Sequence, residues 1–426
     1  MYSCGPTVYN YPHIGNYRAY IFADTLKRVL LYAGYKVKHI MNLTDIDDKT
    51  IRESQKEGKS LKEFTEFYTE AFMEDIKSLN IILPEKFTKA TDYIEEMVKI
   101  IKKLLEKEVA YKSNDGSVYF DIKKFKNYGQ LSRLVLEEQK ENASGRIKND
   151  EYEKENAQDF ALWKAWDEKD GEVFWETDLG KGRPGWHIEC SAMSMKNLGE
   201  QIDLHTGGVD NIFPHHENEI AQSEGTTGKQ FVKYWMHNEW VLVDQKKMAK
   251  SFDNFYTLKD LIKKDINPLA YRFWLLMASY RTRVNFVWEA LEGAETALKR
   301  LYGLYLGLDT DIGSVHKEYQ NKFKEYVSDD LDTPRALSLL WDVFKDENIS
   351  NADKKATILD FDKVLGLGFE NLQEEKIPGE ILKLAEEREQ ARQNKDFKKS
   401  DELREKINSL GYEVKDTGNG QKINKI

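Results

Sequence analysis

The first eighteen residues constrain the fold more than any other stretch of the chain. Residues 2–5 read as the start of a strand, while Phe22, Leu26, Val29, Leu30 and Ala33 recur at helical spacing until Gly34 stops them. Pro12-His13-Ile14-Gly15-Asn16 therefore falls in a strand-to-helix turn. Such a turn aims backbone N–H groups and a helix dipole at an anion, and glycine lets a phosphate approach the backbone closely. A strand-like run over 36–42 follows, and strand, turn, helix and strand within about forty residues begin a parallel α/β sheet.

The rest of the chain extends that beginning. With 426 residues it exceeds what one core holds, and at least three domains are expected. Ser60-Leu61-Lys62-Glu63 opens a helix carrying Leu61, Phe64, Tyr68, Phe72 and Ile76 on one face, most of them core positions. A second helix follows through Ile94, Val98, Ile101 and Leu105, then a short strand over 118–121. The charge-rich stretch 137–158 reads as part of an insertion, after which the α/β pattern resumes at Gly182-Arg183-Pro184-Gly185-Trp186-His187-Ile188-Glu189-Cys190. From about 258 onward the text is helical, notably over 290–306 and 333–344, and it ends in a charged segment from 380.

Composition narrows the setting. No apolar run approaches the roughly 18 residues of a membrane span, and the N-terminus lacks the charged-then-apolar pattern of a signal peptide, so a cytoplasmic location with no membrane partner is expected. The net charge of −10 neither supports nor excludes a local RNA-binding surface. Two cysteines, Cys4 and Cys190, are too few for a disulfide framework and suit a reducing compartment.

Three constellations carry chemistry. In Phe213-Pro214-His215-His216-Glu217-Asn218-Glu219 the proline can start a helix that sets His215 and Glu219 one turn apart on one face. An isolated His-x-x-x-Glu is more often a solvated helix start, but Cys4 and Cys190 can complete a sulfur-rich set, and sulfur with imidazole favours zinc. Asp203-Leu204-His205-Thr206-Gly207-Gly208-Val209-Asp210 reads as a strand end and glycine turn, where parallel sheets bind ligands; Asp210 can hold a ribose hydroxyl or an amine. The third is Asp244-Gln245-Lys246-Lys247-Met248-Ala249-Lys250-Ser251, a short loop after a strand-like 241–243, whose Lys247 and Lys250 can neutralise a triphosphate. Trp163, Trp175, Trp235 and Trp274 read as packing residues, whereas Trp186 stands four residues before Cys190.

The order of these motifs, with Cys4-Gly5-Pro6-Thr7-Val8-Tyr9, 42–49, Tyr280-Arg281 and Asp329-Asp330-Leu331-Asp332-Thr333-Pro334, resembles the class I aminoacyl-tRNA synthetases, and the cysteines narrow it to the cysteinyl-tRNA synthetase family. The resemblance implies an α/β fold: a Rossmann-type parallel-sheet catalytic domain in two halves (1–90 and 181–240) split by a connective insertion (91–180). A lysine-loop domain (241–300), a helical bundle (301–370) and an anticodon-binding region (371–426) would follow as a mainly helical half. It implies a monomer that uses ATP with Mg²⁺, L-cysteine and tRNA(Cys), with one Zn²⁺ per subunit on Cys4, Cys190, His215 and Glu219.

Carried over by position, Gly5, Thr44, Trp186, His205 and Asp210 would surround the amino acid together with Cys4. Pro12, His13, Gly15, Asn16, Gly207, Gly208, Asp210, Met248 and Lys250 would hold ATP, and His13, Asn16, Lys247 and Lys250 would serve catalysis. Asn16 stands where the family usually has histidine, Ala249 where it has serine, and Thr206 and Glu239 where it has glycine. The family usually carries a leading segment before the first motif, so an incomplete first sheet edge is expected here. Two rivals remain at this level: a cysteine-activating ligase with an amino-sugar acceptor, against which the C-terminal region argues, and a non-catalytic zinc-bearing RNA-binding paralogue, against which His13, Lys247 and Lys250 argue.

Overall fold

Five parallel strands form the main sheet, in the order Val232–Asn238, Ile202–Gly208, Tyr2–Ser3, Ile40–Leu43 and Lys86–Lys89. The computed structural model describes residues 1–133, 159–248, 254–308, 310–372, 378–417 and 420–425. Tyr2–Ser3 is short, yet it lies at the centre of the sheet and not at an edge, with Tyr2 opposite both Ile40 and His205. The strand expected at a sheet edge is thus central. The neighbouring strand is also shorter than 36–42 implies, beginning only at Ile40, because that is where Met1 offers a carbonyl to the Ile40 N–H. Lys36 and Lys38 stay exposed outside the sheet.

Entry into the first helix, Ile14–Tyr32, follows the sheet's central strand, and Gly34 leaves the helix at a φ of 91° that a side chain resists. Leu61–Ser78 starts with Ser60 accepting from the Glu63 N–H, and buries Phe64, Phe72 and Ile76 as its spacing requires. A separate antiparallel sheet, ordered Ala110–Lys112, Val118–Phe120, Phe160–Ala165, Gly180–Pro184 and Trp175–Thr177, interrupts the main one in sequence. Its core is continuous with that of the main sheet through Phe120, Leu162, Trp163, Ile188 and Tyr2. The stretch 137–158 lies outside the described residues.

A three-stranded sheet joins Lys246–Lys247, Val241–Val243 and Val284–Phe286. Lys247 is therefore a strand residue paired with Leu242, and not part of a free loop. Val284–Phe286 was hidden in text that otherwise reads as helical, since three residues are too few to register a period of two. Helices Lys317–Ser328 and Asn351–Leu365 meet through Phe323 stacked on Phe361 at 4.1 Å. The chain divides into two compact units, 1–370 and 371–426. The second has helices Gly379–Gln393 and Phe397–Ser409, a hairpin of Tyr412–Thr417 with Gly420–Lys425, and a small core of Ile381, Leu384, Ala385, Ile407 and Val414.

Candidate metal centre and nucleotide turn

The turn at 12–16 is held from several sides. The Ile14 N–H donates to the Tyr256 carbonyl at 2.8 Å, Tyr271 donates its hydroxyl to the Ile14 carbonyl at 2.8 Å, and Asn16 Oδ1 accepts from the His13 N–H at 3.0 Å. Asn16, at the third helical position, thus closes a capping box with His13 at the N-cap. His13 packs edge-on against Phe255, and burial lowers its pKa to about 4, so the imidazole is neutral at pH 7. Met248 reaches over Gly15: a Cβ there would lie 2.5 Å from Met248 Cε. Met248 thus covers the turn. Pro12 is buried behind it.

Beyond the other end of the 4–16 segment, four donors converge. Cys4 follows the central strand, Cys190 lies on the helix Trp186–Leu198, and His215 and Glu219 bracket the start of the helix Glu217–Thr227. Their ligand atoms all lie within 4.8 Å of one another. Phe213 is extended, with φ −134° and ψ 132°, so the helical run starts at Pro214 as the sequence implies and brings His215 Nε2 to 3.1 Å from Glu219 Oε1 one turn on. Both cysteines are free, and Cys190, His215 and Glu219 are buried.

The donor set fits a metal ion. Ligands at about 2.0–2.3 Å from a tetrahedral zinc stand roughly 3.3–3.8 Å apart, comparable with this spacing. Burial raises the Cys190 thiol well above its ordinary value. Burial alone would lower His215, but Cys190 and Glu219 outweigh it and raise the imidazole to about 10.

A layer of aromatic nitrogen supports the set. His187 Nδ1 lies 3.1 Å from His215 Nδ1, and Trp186 stacks on His215 at 4.4 Å. His205 Nε2 is 3.0 Å from Glu219 Oε2, and His216 Nε2 is 3.3 Å from Cys4 Sγ, so Cys4, His205, His216 and Glu219 form an overlapping second set of donors. Trp235 stacks on His205 at 4.6 Å, and His237 Nε2 meets His216 Nδ1 at 2.8 Å. Sequence reasoning missed His187, His216 and His237, and read Trp235 as packing. One signal was available: five of the chain's eight histidines fall between 187 and 237.

The remaining sequence-predicted positions have these surroundings. The Gly5 N–H donates to Asn42 Oδ1 at 2.8 Å, and a Cβ on Gly5 would collide with the Asn42 carbonyl oxygen. Buried Thr44 donates to Glu189 Oε2 at 2.9 Å. A Cβ on Gly207 would lie 2.8 Å from His216 Cε1, and one on Gly208 would collide with Asp210. Exposed Asp210 accepts from the Trp240 indole at 3.1 Å, and its charge reaches both Cys4 and His13. Lys250 and Ala249 lie outside the described residues, and of Lys247 only the backbone is described.

A parallel sheet of this order, carrying a glycine turn into a long helix and the lysine-bearing strand behind it, is the catalytic fold of a class I aminoacyl-tRNA synthetase. Residues 1–296 match the family model described as tRNA synthetases class I (C) catalytic domain, and 374–423 match the cysteinyl-tRNA ligase anticodon binding domain. The chain belongs to the cysteine–tRNA ligase family. It is 46% identical to the cysteine–tRNA ligase of Protochlamydia amoebophila, over 100% of this chain and 93% of that one. With that of Brachyspira hyodysenteriae it shares 47% identity over 99% and 94%. The fold is similar to that of a Mycobacterium tuberculosis methionyl-tRNA synthetase in complex with methionyl-adenylate, with a TM-score of 0.59, 13% identity, and 86% of this chain and 89% of that one covered. Among the described residues no helix is long and apolar enough to cross a membrane.

Proposed function

We propose that this chain activates L-cysteine with ATP and Mg²⁺ and transfers it to the 3′ adenosine of tRNA(Cys), with one zinc ion held by Cys4, Cys190, His215 and Glu219 selecting the substrate thiol. The observation that carries this reading is the convergence of those four donors, with Trp186 on the same helix as Cys190, and with His205 Nε2 3.0 Å from Glu219 Oε2. Serine differs from cysteine by one atom, and shape alone separates such near-isosteres by only about a hundredfold. Zinc when bound supplies the missing discrimination, because it favours a thiolate over a hydroxyl that stays protonated.

The chain's own residues do the rest. Gly5, Thr44, Trp186 and His205 frame the amino acid, and Asp210 orients its amine or the ribose. Pro12, His13, Gly15 and Asn16 hold the nucleotide, with Gly207, Gly208 and Met248 close against it. The cysteine carboxylate attacks the α-phosphate, the bond to the bridging oxygen breaks, and pyrophosphate leaves while Lys247 and Lys250 neutralise its charge. Neutral His13 donates a hydrogen bond. A ribose hydroxyl of the terminal adenosine then attacks the aminoacyl carbonyl and releases AMP. The C-terminal unit, by its match to an anticodon-binding domain, favours tRNA over an amino-sugar as acceptor.

Cysteine-dependent ATP–pyrophosphate exchange tests the reading, with serine as control. The zinc-loaded protein is expected to exchange with cysteine and not with serine, and Cys190→Ala to lose cysteine affinity at least tenfold more than ATP affinity. No exchange from folded, zinc-loaded protein would overturn the proposal, and equal losses would make the metal structural.

A further inference from the structure

Arg18 lies on the first helix just beyond the turn at 12–16 and is 3% exposed. Its guanidinium goes to backbone carbonyls of two distant segments. Nη1 donates to the Trp240 carbonyl at 2.6 Å; Nη2 donates to those of Thr282 at 2.5 Å and Ser279 at 3.2 Å, with Tyr280 at 3.4 Å. Burial lowers its pKa to about 10, which leaves the cation in place at neutral pH. A planar fork with donors in fixed directions locks the segments it reads into one geometry, which a flexible ammonium does not do.

Those segments lead to Asp210. Trp240 gives its indole N–H to Asp210, and the Glu239 N–H donates to the Tyr280 carbonyl at 2.8 Å. Residues 279–282 are fixed in turn: Tyr280 stacks on Phe22 of the first helix at 4.5 Å, and Asp330 accepts from the Tyr280 hydroxyl at 2.6 Å and from Arg281 at 2.6 and 2.9 Å. Asp330 and Leu331 adopt φ values of 54° and 58° to present that carboxylate, an arrangement strained for residues other than glycine. One continuous path thus runs from the turn at 12–16 through Arg18 and Trp240 to Asp210.

The geometry points to Arg18 as a positioning residue for adenylate formation: it sets the spacing between the nucleotide turn and Asp210, the two walls between which ATP and cysteine react. The inference rests on the proposed ATP-dependent activation of cysteine. Near-attack alignment is sensitive to shifts of about 1 Å, which can cost about a hundredfold in rate. An arginine that only stabilised the fold would leave each folded molecule as active as before.

The test uses full-length, metal-loaded Arg18→Lys, with pyrophosphate exchange measured at saturating ATP and cysteine and expressed per folded, metal-loaded molecule. A cobalt-substituted sample reports cysteine separately, through its thiolate-to-metal absorption band. The kcat of exchange is expected to fall roughly 10- to 100-fold, with metal stoichiometry and the saturated thiolate band unchanged. A kcat within twofold of the parent protein would overturn the inference. Failure of the parent protein itself to exchange would instead count against the proposed function. If Arg18→Lys does not fold, Trp240→Phe serves: it keeps the carbonyl that Arg18 reads and removes the indole N–H to Asp210. A selective loss of kcat of at least about fivefold is then expected, and unchanged exchange overturns the inference.

Discussion

His39 lies 2% exposed against the central strand, with Nε2 2.9 Å from Ser3 Oγ, which meets Thr206 Oγ1 at 2.8 Å. Thr206 puts its hydroxyl into this buried chain of hydrogen bonds. Burial lowers His39 to about 3, while an unfolded chain's histidine titrates near 6.5. As pH falls below about 6.5 the unfolded state takes a proton that the folded state refuses, so stability is lost across the window down to about 3, at roughly 1.4 kcal/mol per pH unit. At pH 5 this amounts to about 2 kcal/mol. His39→Gln is expected to remove that slope, so its urea midpoint should change less than the parent's between pH 6.5 and 4. Parallel curves would mean that His39 is already protonated in the fold. Single residues with a chemical signature were the most legible: Cys4, Cys190, His215 and Glu219 could be grouped because no other role suited two lone cysteines. His187, His216 and His237 were not, because they belong to the site through ring stacking and nitrogen–nitrogen contacts between elements far apart in sequence.

At the scale of elements, the first helix joins the nucleotide turn to the helical part of the first unit. Asp24, fully buried, accepts from Arg28 at 2.8 Å and pairs with Arg272 at 2.6 Å, while Arg28 also donates to the Lys363 and Asn80 carbonyls. Burial pushes the Asp24 carboxyl up, but Arg272 and Arg28 outweigh it and hold it below its ordinary value. Asp24→Asn leaves two buried cations without their counter-charge, and removal of one partner from such a network costs about 3–5 kcal/mol. That loss should appear as a lower urea midpoint, and a change under about 1 kcal/mol would show that the arginines find compensation in the carbonyls. Long amphipathic helices such as Ile14–Tyr32 and Leu61–Ser78 were legible because their period repeats several times. Short strands were not. Ile40–Leu43 is set by where Met1 and Ser3 offer partners, and Val284–Phe286 by Val241–Val243, neither of which local sequence states.

At the scale of the molecule, the boundary at 370 separates two units with cores of their own, and their chemistry should separate along it. The donor cluster, the turn at 12–16 and Arg18 with every carbonyl it reads all belong to 1–370, so removal of 371–426 should leave the parts proposed for cysteine activation in place. The second unit is the part that matches an anticodon-binding domain. Its hairpin is tied to its first helix by Arg388, buried and bonded to Asp416 at 2.9 and 3.0 Å, which gives 371–426 an internal scaffold for presenting a surface to RNA. Recognition interfaces concentrate their energy in a few contacts worth about 2 kcal/mol or more each. Loss of even one such contact lowers kcat/KM for tRNA by roughly 30-fold. A chain ending at 370 is therefore expected to exchange pyrophosphate within about twofold of the full protein, while its charging of tRNA(Cys) falls at least 30-fold in kcat/KM. Equal losses in both assays would mean that the second unit supports the catalytic one, and undiminished charging would mean that the acceptor is recognised within 1–370 alone.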